Sequence, residues 1–457
     1  MREYDVLIVG GGLAGLNAAA EIRERNPELR ILLTDASGGA SSEIMGFSAP
    51  ANPPDSPEIF YRDTLLAGGG YSDEALVRVL ADRALPELER LIGLGLPFDR
   101  TPDGRFDMVN AVGSTHPRVV HSGTTTGRQA MRLLQTGTES SRITGLSVDE
   151  NGICGAWNEQ GEFLHCKAVV LAGGGFAGLW KFSTWSKNLR GDPALLAMGA
   201  GAETRDLGFV QFEPTVTVYP ARLRGFPVIT TVLHEGARLL NGRGESLLIP
   251  GEPVPRKREL AERILREIQA GRSGPHGGIF YDFREVDEDS FARKYPEYHA
   301  RFQRLSPNFS DLCFEVRPGA HTTLGGIRIE PDCSTRIPGL FAAGEAAGGI
   351  HGRDRLGGNA GLEVFVFGRI AGGSAAHYAE RHPFSKTVVP AERPLSDPPE
   401  FFEQAAALLD RYFHVLSSHA ELETGYRETL ALPKCPRRDL IRRIFEDALS
   451  VAAPSPA

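Results

Sequence analysis

The sequence predicts an α/β protein of more than one domain, and three observations carry that prediction. A short apolar run at residues 4–9 enters the turn Gly10-Gly11-Gly12-Leu13-Ala14-Gly15, and a helical stretch at about 16–25 and a second apolar run ending at Asp35 come next. Apolar runs that stop at glycine recur at 168–172, before Gly173-Gly174-Gly175, and at 339–345, where Gly344 and Glu345 close the run. A length of 457 residues exceeds what one ordinary core organises, so the chain must divide.

The first forty residues form a βαβ unit. Gly10, Gly12 and Gly15 have GxGxxG spacing, and an acid, Asp35, stands twenty residues after the last of them. Gly10 permits a tight turn, Gly12 lets a pyrophosphate reach the backbone, and Gly15 lets the helix pack close to the strand. The helix start offers unpaired N–H groups and partial positive charge to phosphates. Asp35 suits a ribose 2′-hydroxyl and disfavours a 2′-phosphate. Glycine spacing alone is a weak signal, but placed after a strand, before a helix and ahead of the acid it specifies a dinucleotide site.

Composition narrows the remaining classes. A net charge of −8 argues against a general nucleic-acid or anionic-membrane surface, while leaving room for a local cationic pocket. The 53 glycines gather in short clusters, as expected where backbone approaches a phosphorylated ligand at several places. Cys154, Cys166, Cys313, Cys333 and Cys435 are scattered, with no Cys-x-x-Cys pair, so no disulfide scaffold, metal site or iron–sulfur cluster within this chain is expected. No stretch reaches the roughly 18 apolar residues of a membrane span, and no signal peptide is read, which gives a soluble, cytoplasmic expectation.

With the late run Gly339-Leu340-Phe341-Ala342-Ala343-Gly344-Glu345, the sequence resembles the succinate dehydrogenase / fumarate reductase / L-aspartate oxidase flavoprotein family. The resemblance spans about residues 4–380. It is carried by the Gly-x-Pro-Phe end of 65–100, by His121 with Thr126-Gly127-Arg128, and by Gly191-Asp192 with ALLAMGAGAETRDLGFVQFEPT (194–215). The most specific segments are AHTTLGGI (320–327) and HGRDRLGGNAGLEVFVFGRIAG (351–372). It implies a split Rossmann-like FAD-binding domain (1–210 and 318–380), with an inserted α+β capping domain (211–317) closing over the flavin. A Pro-rich linker and a short C-terminal helical tail (381–457) would complete the chain. It implies FAD as cofactor, with Glu345 on the ribityl chain and Gly173, Gly174, Gly344 and Asn359 as further contacts. Respiratory members carry a flavin-linked His in a Ser-His-Thr stretch, and Ser42 stands in its place here, so the FAD is expected to be non-covalent.

The family moves a hydride between flavin N5 and a carbon beside a carboxylate. By resemblance Arg355 is the carboxylate clamp, which suits a planar guanidinium, and His321 is a second substrate contact. Arg258, in RELAERIL, takes the place of the family's proton-carrying arginine, although its arginine-rich surroundings also read as a solvated helix face. Two departures matter. The family's Gln-Phe-His-Pro-Thr is here Gln211-Phe212-Glu213-Pro214-Thr215, so Glu213 replaces a histidine. The Thr-Glu-Gly-x-Arg-Gly-Glu-Gly run is reduced to Glu235-Gly236 within 229–240, with the relay Glu falling near Thr230. A carboxylate repels a dicarboxylate and attracts an ammonium. The expected substrate is therefore a small carboxylate other than plain succinate or fumarate, with an amine or hydroxyl toward Glu213. His234, Arg238 and Arg353 are nearby polar candidates, and His351, beside the clamp, reads equally as a further contact or as a packing residue. Alternatives are a flavoprotein subunit serving a separate iron–sulfur or other electron-transfer partner, and an electron relay whose substrate site has decayed.

Overall fold

The computed structural model describes residues 2–452, apart from 37–38, 250, 306–307, 309–310 and 391–394. In chain order the elements that carry the site are β1 (Arg2–Val9), α1 (Leu13–Arg25), β2 (Ile31–Asp35), β3 (Phe163–Leu171), β4 (Val210–Tyr219), α2 (Lys257–Gln269), β5 (Cys313–Thr323), β6 (Leu340–Ala342) and α3 (Asn359–Arg381).

Val6, Leu7 and Ile8 of β1 are wholly buried, because this strand is covered on both faces and paired on both edges. Such continuous apolar runs are what parallel strands inside an α/β sheet require. β2 and β3 flank β1 in parallel, and β6 adds to β3 in parallel, within a seven-stranded sheet. The register pairs Val9 with Leu171, and Leu171 with Ala342. The three glycine-bearing turns after these residues therefore emerge side by side along one carboxyl edge, the usual ligand crevice of such sheets. Helix α3 crosses α1 at backbone contact: a Cβ at Gly368 would lie 2.6 Å from the Ala14 carbonyl oxygen, and one at Gly372 2.4 Å from that of Ala18. Only glycine allows that approach.

The second sheet is antiparallel, in the order β4, β5, Ile279–Asp282, Arg238–Leu240. Its core holds an aromatic cluster among aliphatic side chains: Phe283 packs edge-on against Phe302 and Phe314, and Phe291 stacks on Phe302. Helix α2 buries Leu260, Ala261, Ile264 and Leu265, an i, i+1, i+4, i+5 stripe, in this unit. Its other face carries the pairs Arg258–Glu262, Glu259–Arg263 and Glu262–Arg266. β4 and β5 run across the expected divisions at 210/211 and 317/318, so the two units are joined through a strand pair.

The C-terminal segment docks onto the body. Val389 N–H donates to Ser147 Oγ at 3.0 Å and Leu395 N–H to the Thr144 carbonyl at 2.7 Å, both beside the strand Ile143–Asp149. Helices Phe401–Tyr412, His419–Glu428 and Pro436–Ala452 come after it. Arg437 is fully buried and bridges Asp192 (2.8 Å) and Asp397 (2.9 Å). No helix among the described residues is long and apolar enough to cross a membrane.

Candidate active site

A cavity of about 1990 Å³ runs from the carboxyl edge of the parallel sheet to the underside of the antiparallel unit. Its sheet end is the turn between β1 and α1. Gly10 has φ +121°, a left-handed conformation that an L side chain resists, and a Cβ there would lie 2.4 Å from the Ala172 carbonyl oxygen. Gly15 does not line the cavity. It lets α1 seat against the turn, since its Cβ would fall 1.9 Å from the Gly10 carbonyl oxygen. The helix start has no side chain of its own to cap it, because Gly12 is the N-cap, and Ser41 Oγ accepts the Leu13 N–H at 2.9 Å from across the cavity wall. Gly12, Asp35, Ser42, Gly173 and Gly174 all line this end.

Glu345 lines the middle of the cavity at the end of β6. Its Oε1 accepts the Thr323 N–H and hydroxyl, each at 3.0 Å. Burial pushes this carboxyl up to about 7, opposed by those two bonds. Gly344 sits behind it at φ +65°, packed on Ala14.

Four polar side chains meet at the far end. Arg355 Nη2 donates to Gln211 Oε1 at 2.9 Å and Nη1 to the Leu356 carbonyl at 3.3 Å, which fixes the guanidinium plane. His321, on β5, shares a hydrogen bond of 2.8 Å between Nδ1 and the Thr184 hydroxyl, and Trp185 stacks on its ring at 5.1 Å. Burial first, then the charges of Lys257 and Arg355, hold His321 well below the usual histidine range, so the ring is neutral at neutral pH. Glu213, on β4, is nearly buried and accepts a bond of 2.6 Å from Lys257 Nζ at the first position of α2. All four line the one cavity.

Comparisons with known proteins identify the family. A family model described as an FAD binding domain matches residues 5–360. A subunit of the fumarate reductase (CoM/CoB) of Methanothermobacter marburgensis is 34% identical over 401 residues, covering 83% of this chain and 73% of that protein. The L-aspartate oxidase of Mesorhizobium japonicum is 33% identical over 419 residues, covering 85% and 79%. The solved structure of Mycobacterium smegmatis Sdh1 superposes with a TM-score of 0.83 at 29% identity, over 98% of this chain and 84% of that one. The chain belongs to the succinate dehydrogenase / fumarate reductase / L-aspartate oxidase flavoprotein family. It is an FAD-dependent oxidoreductase.

The residues present fit this flavoprotein cofactor. Gly10 and Gly12 leave the backbone of the first turn bare, Asp35 lines the same end, where a ribose would lie, and Glu345 would have Oε2 for a hydroxyl, because both Thr323 bonds use Oε1. Four residues expected at the flavoprotein site do not line the cavity: Gly15 and Gly344, which shape its wall from behind, and Arg258 and Asn359. Arg258 is a correction. Its side chain is 61% exposed and pairs with Glu262 one turn along α2, on the solvated face. The cation that α2 does present is its neighbour Lys257, which sequence reasoning passed over. The available signal was spacing: Lys257 stands three, four and seven residues before Leu260, Ala261 and Ile264, on the buried stripe. Asn359 is the second correction. Its amide is used inside the wall, accepting from Ser48 Oγ at 2.8 Å and donating to Thr64 Oγ at 3.1 Å, so it ties α3 to its neighbours.

Of the other polar candidates, His234 and Thr230 line the cavity, while Arg238 pairs with Asp282 and Glu285. Arg353 lies outside over the Tyr71 ring, and His351 is buried against Glu363 at 2.8 Å. Glu235 pairs with Lys294. Among the described residues no cluster of three or more His, Cys, Asp or Glu side chains forms a metal site.

Proposed function

We propose that this flavoprotein transfers a hydride to or from a small carboxylate-bearing substrate whose second polar group is an oxygen function and not another carboxylate. The observation that carries this reading is the convergence of Arg355, His321, Lys257 and Glu213 at one end of the cavity whose other end is the Gly10–Gly12 turn. Bound non-covalently, as Ser42 in place of a histidine implies, FAD supplies a hydride donor or acceptor at N5.

The protein's own residues supply the rest. Arg355, held flat by Gln211 and the Leu356 carbonyl, offers its remaining N–H groups to a carboxylate. His321, neutral, adds a hydrogen bond without adding charge. Lys257 carries the proton that must enter or leave beside the reacting carbon, and Glu213 holds its ammonium in place. The Lys257–Glu213 couple is close to neutral, so a second substrate carboxylate meets no net cation there. A hydroxyl or carbonyl oxygen finds a donor in Lys257 and an acceptor in Glu213. An amine would compete with Lys257 for Glu213, which disfavours it relative to an oxygen.

The test is anaerobic mixing of the holoenzyme with a panel of small acids, unsubstituted and bearing hydroxyl, keto or amino groups. Oxidised enzyme should bleach, or reduced enzyme reoxidise, with a hydroxy- or keto-acid at least tenfold faster than with succinate or fumarate. Equal rates with the unsubstituted dicarboxylates would refute the substrate assignment. A second reading, in which the chain passes electrons to a separate iron–sulfur protein, is favoured by the relative that is itself named as part of a larger enzyme. Copurification of an iron–sulfur protein with the chain from its native host tests it.

A further inference from the structure

We propose that Thr184 is a positioning residue that sets the tautomer of His321, so that the ring offers Nε2–H to a substrate oxygen, with Trp185 holding the ring in its plane. The segment carrying both residues is fixed by backbone bonds on either side of Ala320. Ala320 N–H donates to the Phe182 carbonyl at 2.9 Å, and Thr184 N–H donates to the Ala320 carbonyl at 3.0 Å. Ser183 and Ala320 thereby form a short parallel bridge along β5. The Thr184 hydroxyl is thus brought to His321 Nδ1, at 2.8 Å, by main chain and not by a long flexible side chain. Trp185, the next residue, lies over the imidazole at 5.1 Å with planes 25° apart.

A neutral imidazole has one N–H and one lone pair. The charged groups that face this ring are Lys257 from the start of α2 and Arg355 from the loop before α3, and both oppose a second proton on it. With Nδ1 engaged by Thr184, Nε2 is the nitrogen left to meet a ligand. If Nδ1 carried the proton, Thr184 would accept it and the Nε2 lone pair would face the ligand, repelling a carboxylate oxygen. If Thr184 donates to Nδ1, Nε2–H becomes the donor that a carboxylate needs. The same dependence of one ring nitrogen on the partner of the other governs histidines held for metals and catalysis.

The choice of Nε2–H rests on the carboxylate reading above, whereas the contact that holds Nδ1 does not, and the tautomer can be measured with no ligand bound. The tautomer is read directly from nitrogen-15 spectra of histidine-labelled holoenzyme, with the His321 signals assigned by their loss in His321→Gln protein. Wild type should show Nε2 protonated and Nδ1 unprotonated across about pH 6 to 8. Thr184→Val should give a mixture of tautomers and weaken the perturbation of the flavin spectrum by 2-hydroxyisobutyrate, a hydroxy-acid with no hydrogen to transfer, about three- to tenfold, the worth of one hydrogen bond. Thr184→Ser should restore both signals. Nδ1 protonated in wild type, or a Val variant with unchanged spectrum and affinity, would overturn the assignment, and the wild-type spectrum decides even if the Val variant fails to fold. 2-Hydroxyisobutyrate without effect on the wild-type flavin would overturn the ligand half while the tautomer result stands.

Discussion

Raising the pH should destabilise the flavin-free protein in part through Glu345. Burial lifts Glu345 from 4.5 to about 7, against two bonds from Thr323 and the charge of Arg355. Between those values the folded chain holds a proton that the unfolded chain has lost. The stabilising contribution is therefore complete below the unfolded value of 4.5, shrinks as pH rises, and is gone above about 7. A gap of roughly 2.5 units at about 1.36 kcal/mol each corresponds to about 3 kcal/mol. Glutamine at this position copies the neutral acid at every pH. Urea unfolding of the flavin-free wild type and of Glu345→Gln, at steps from about pH 4.5 to 7.5, isolates the effect from every other titrating group. The two proteins should be of similar stability at the acid end, with the variant ahead by about 3 kcal/mol at the alkaline end. A difference that stays flat, or that grows toward acid, would refute the account of a carboxyl desolvated in the cavity wall.

Other perturbations test the same geometry. Lys257→Met should lower turnover about a hundredfold, whereas Arg258→Ala, which loses only an exposed i, i+4 pair, should leave turnover within about twofold and stability within about 0.5 kcal/mol; steady-state kinetics on both variants decides. A double-mutant cycle of Lys257→Met with Glu213→Gln should give a coupling of about 1–2 kcal/mol, below that of a fully buried pair because the lysine is 46% exposed. Gly15→Ala should push α1 off the turn, cost about 1–3 kcal/mol and release flavin on gel filtration. Arg437→Met should cost about 3–5 kcal/mol in chemical denaturation by leaving the buried Asp397 without its cation, while Asp192 keeps Arg142. It should also weaken FAD retention, since Asp192 lines the cavity.

The parts of the site readable from the chain were those where one residue type is demanded by its own backbone. A turn in which a Cβ would strike a carbonyl at 2.4 Å or less admits glycine alone, so Gly10 and Gly15 announce the dinucleotide end without any partner being known. Arg258 misled for the opposite reason. Three adjacent cations, Arg256, Lys257 and Arg258, are equivalent as letters, and a step of one residue turns a side chain by about 100° around a helix. Asn359 misled because an amide in a matching stretch can serve a ligand or a neighbouring helix equally well, and here Ser48 and Thr64 took it.

The amino-acid order alone was enough for the flavoprotein family, the α/β sheet with its glycine turns, and the residue types available to a carboxylate. Packing in three dimensions chose which of those residues meet: Lys257 with Glu213 across 44 positions, and Thr184 with His321 across 137. The Pro-rich stretch and the tail it leads to were likewise settled by packing, since Arg437 is buried against Asp192, 245 positions earlier in the chain. The physical reason is one of range. Backbone strain is a property of a residue and its immediate neighbours, whereas the partner of a side chain is fixed by strand register and helix rotation, which the whole core sets together.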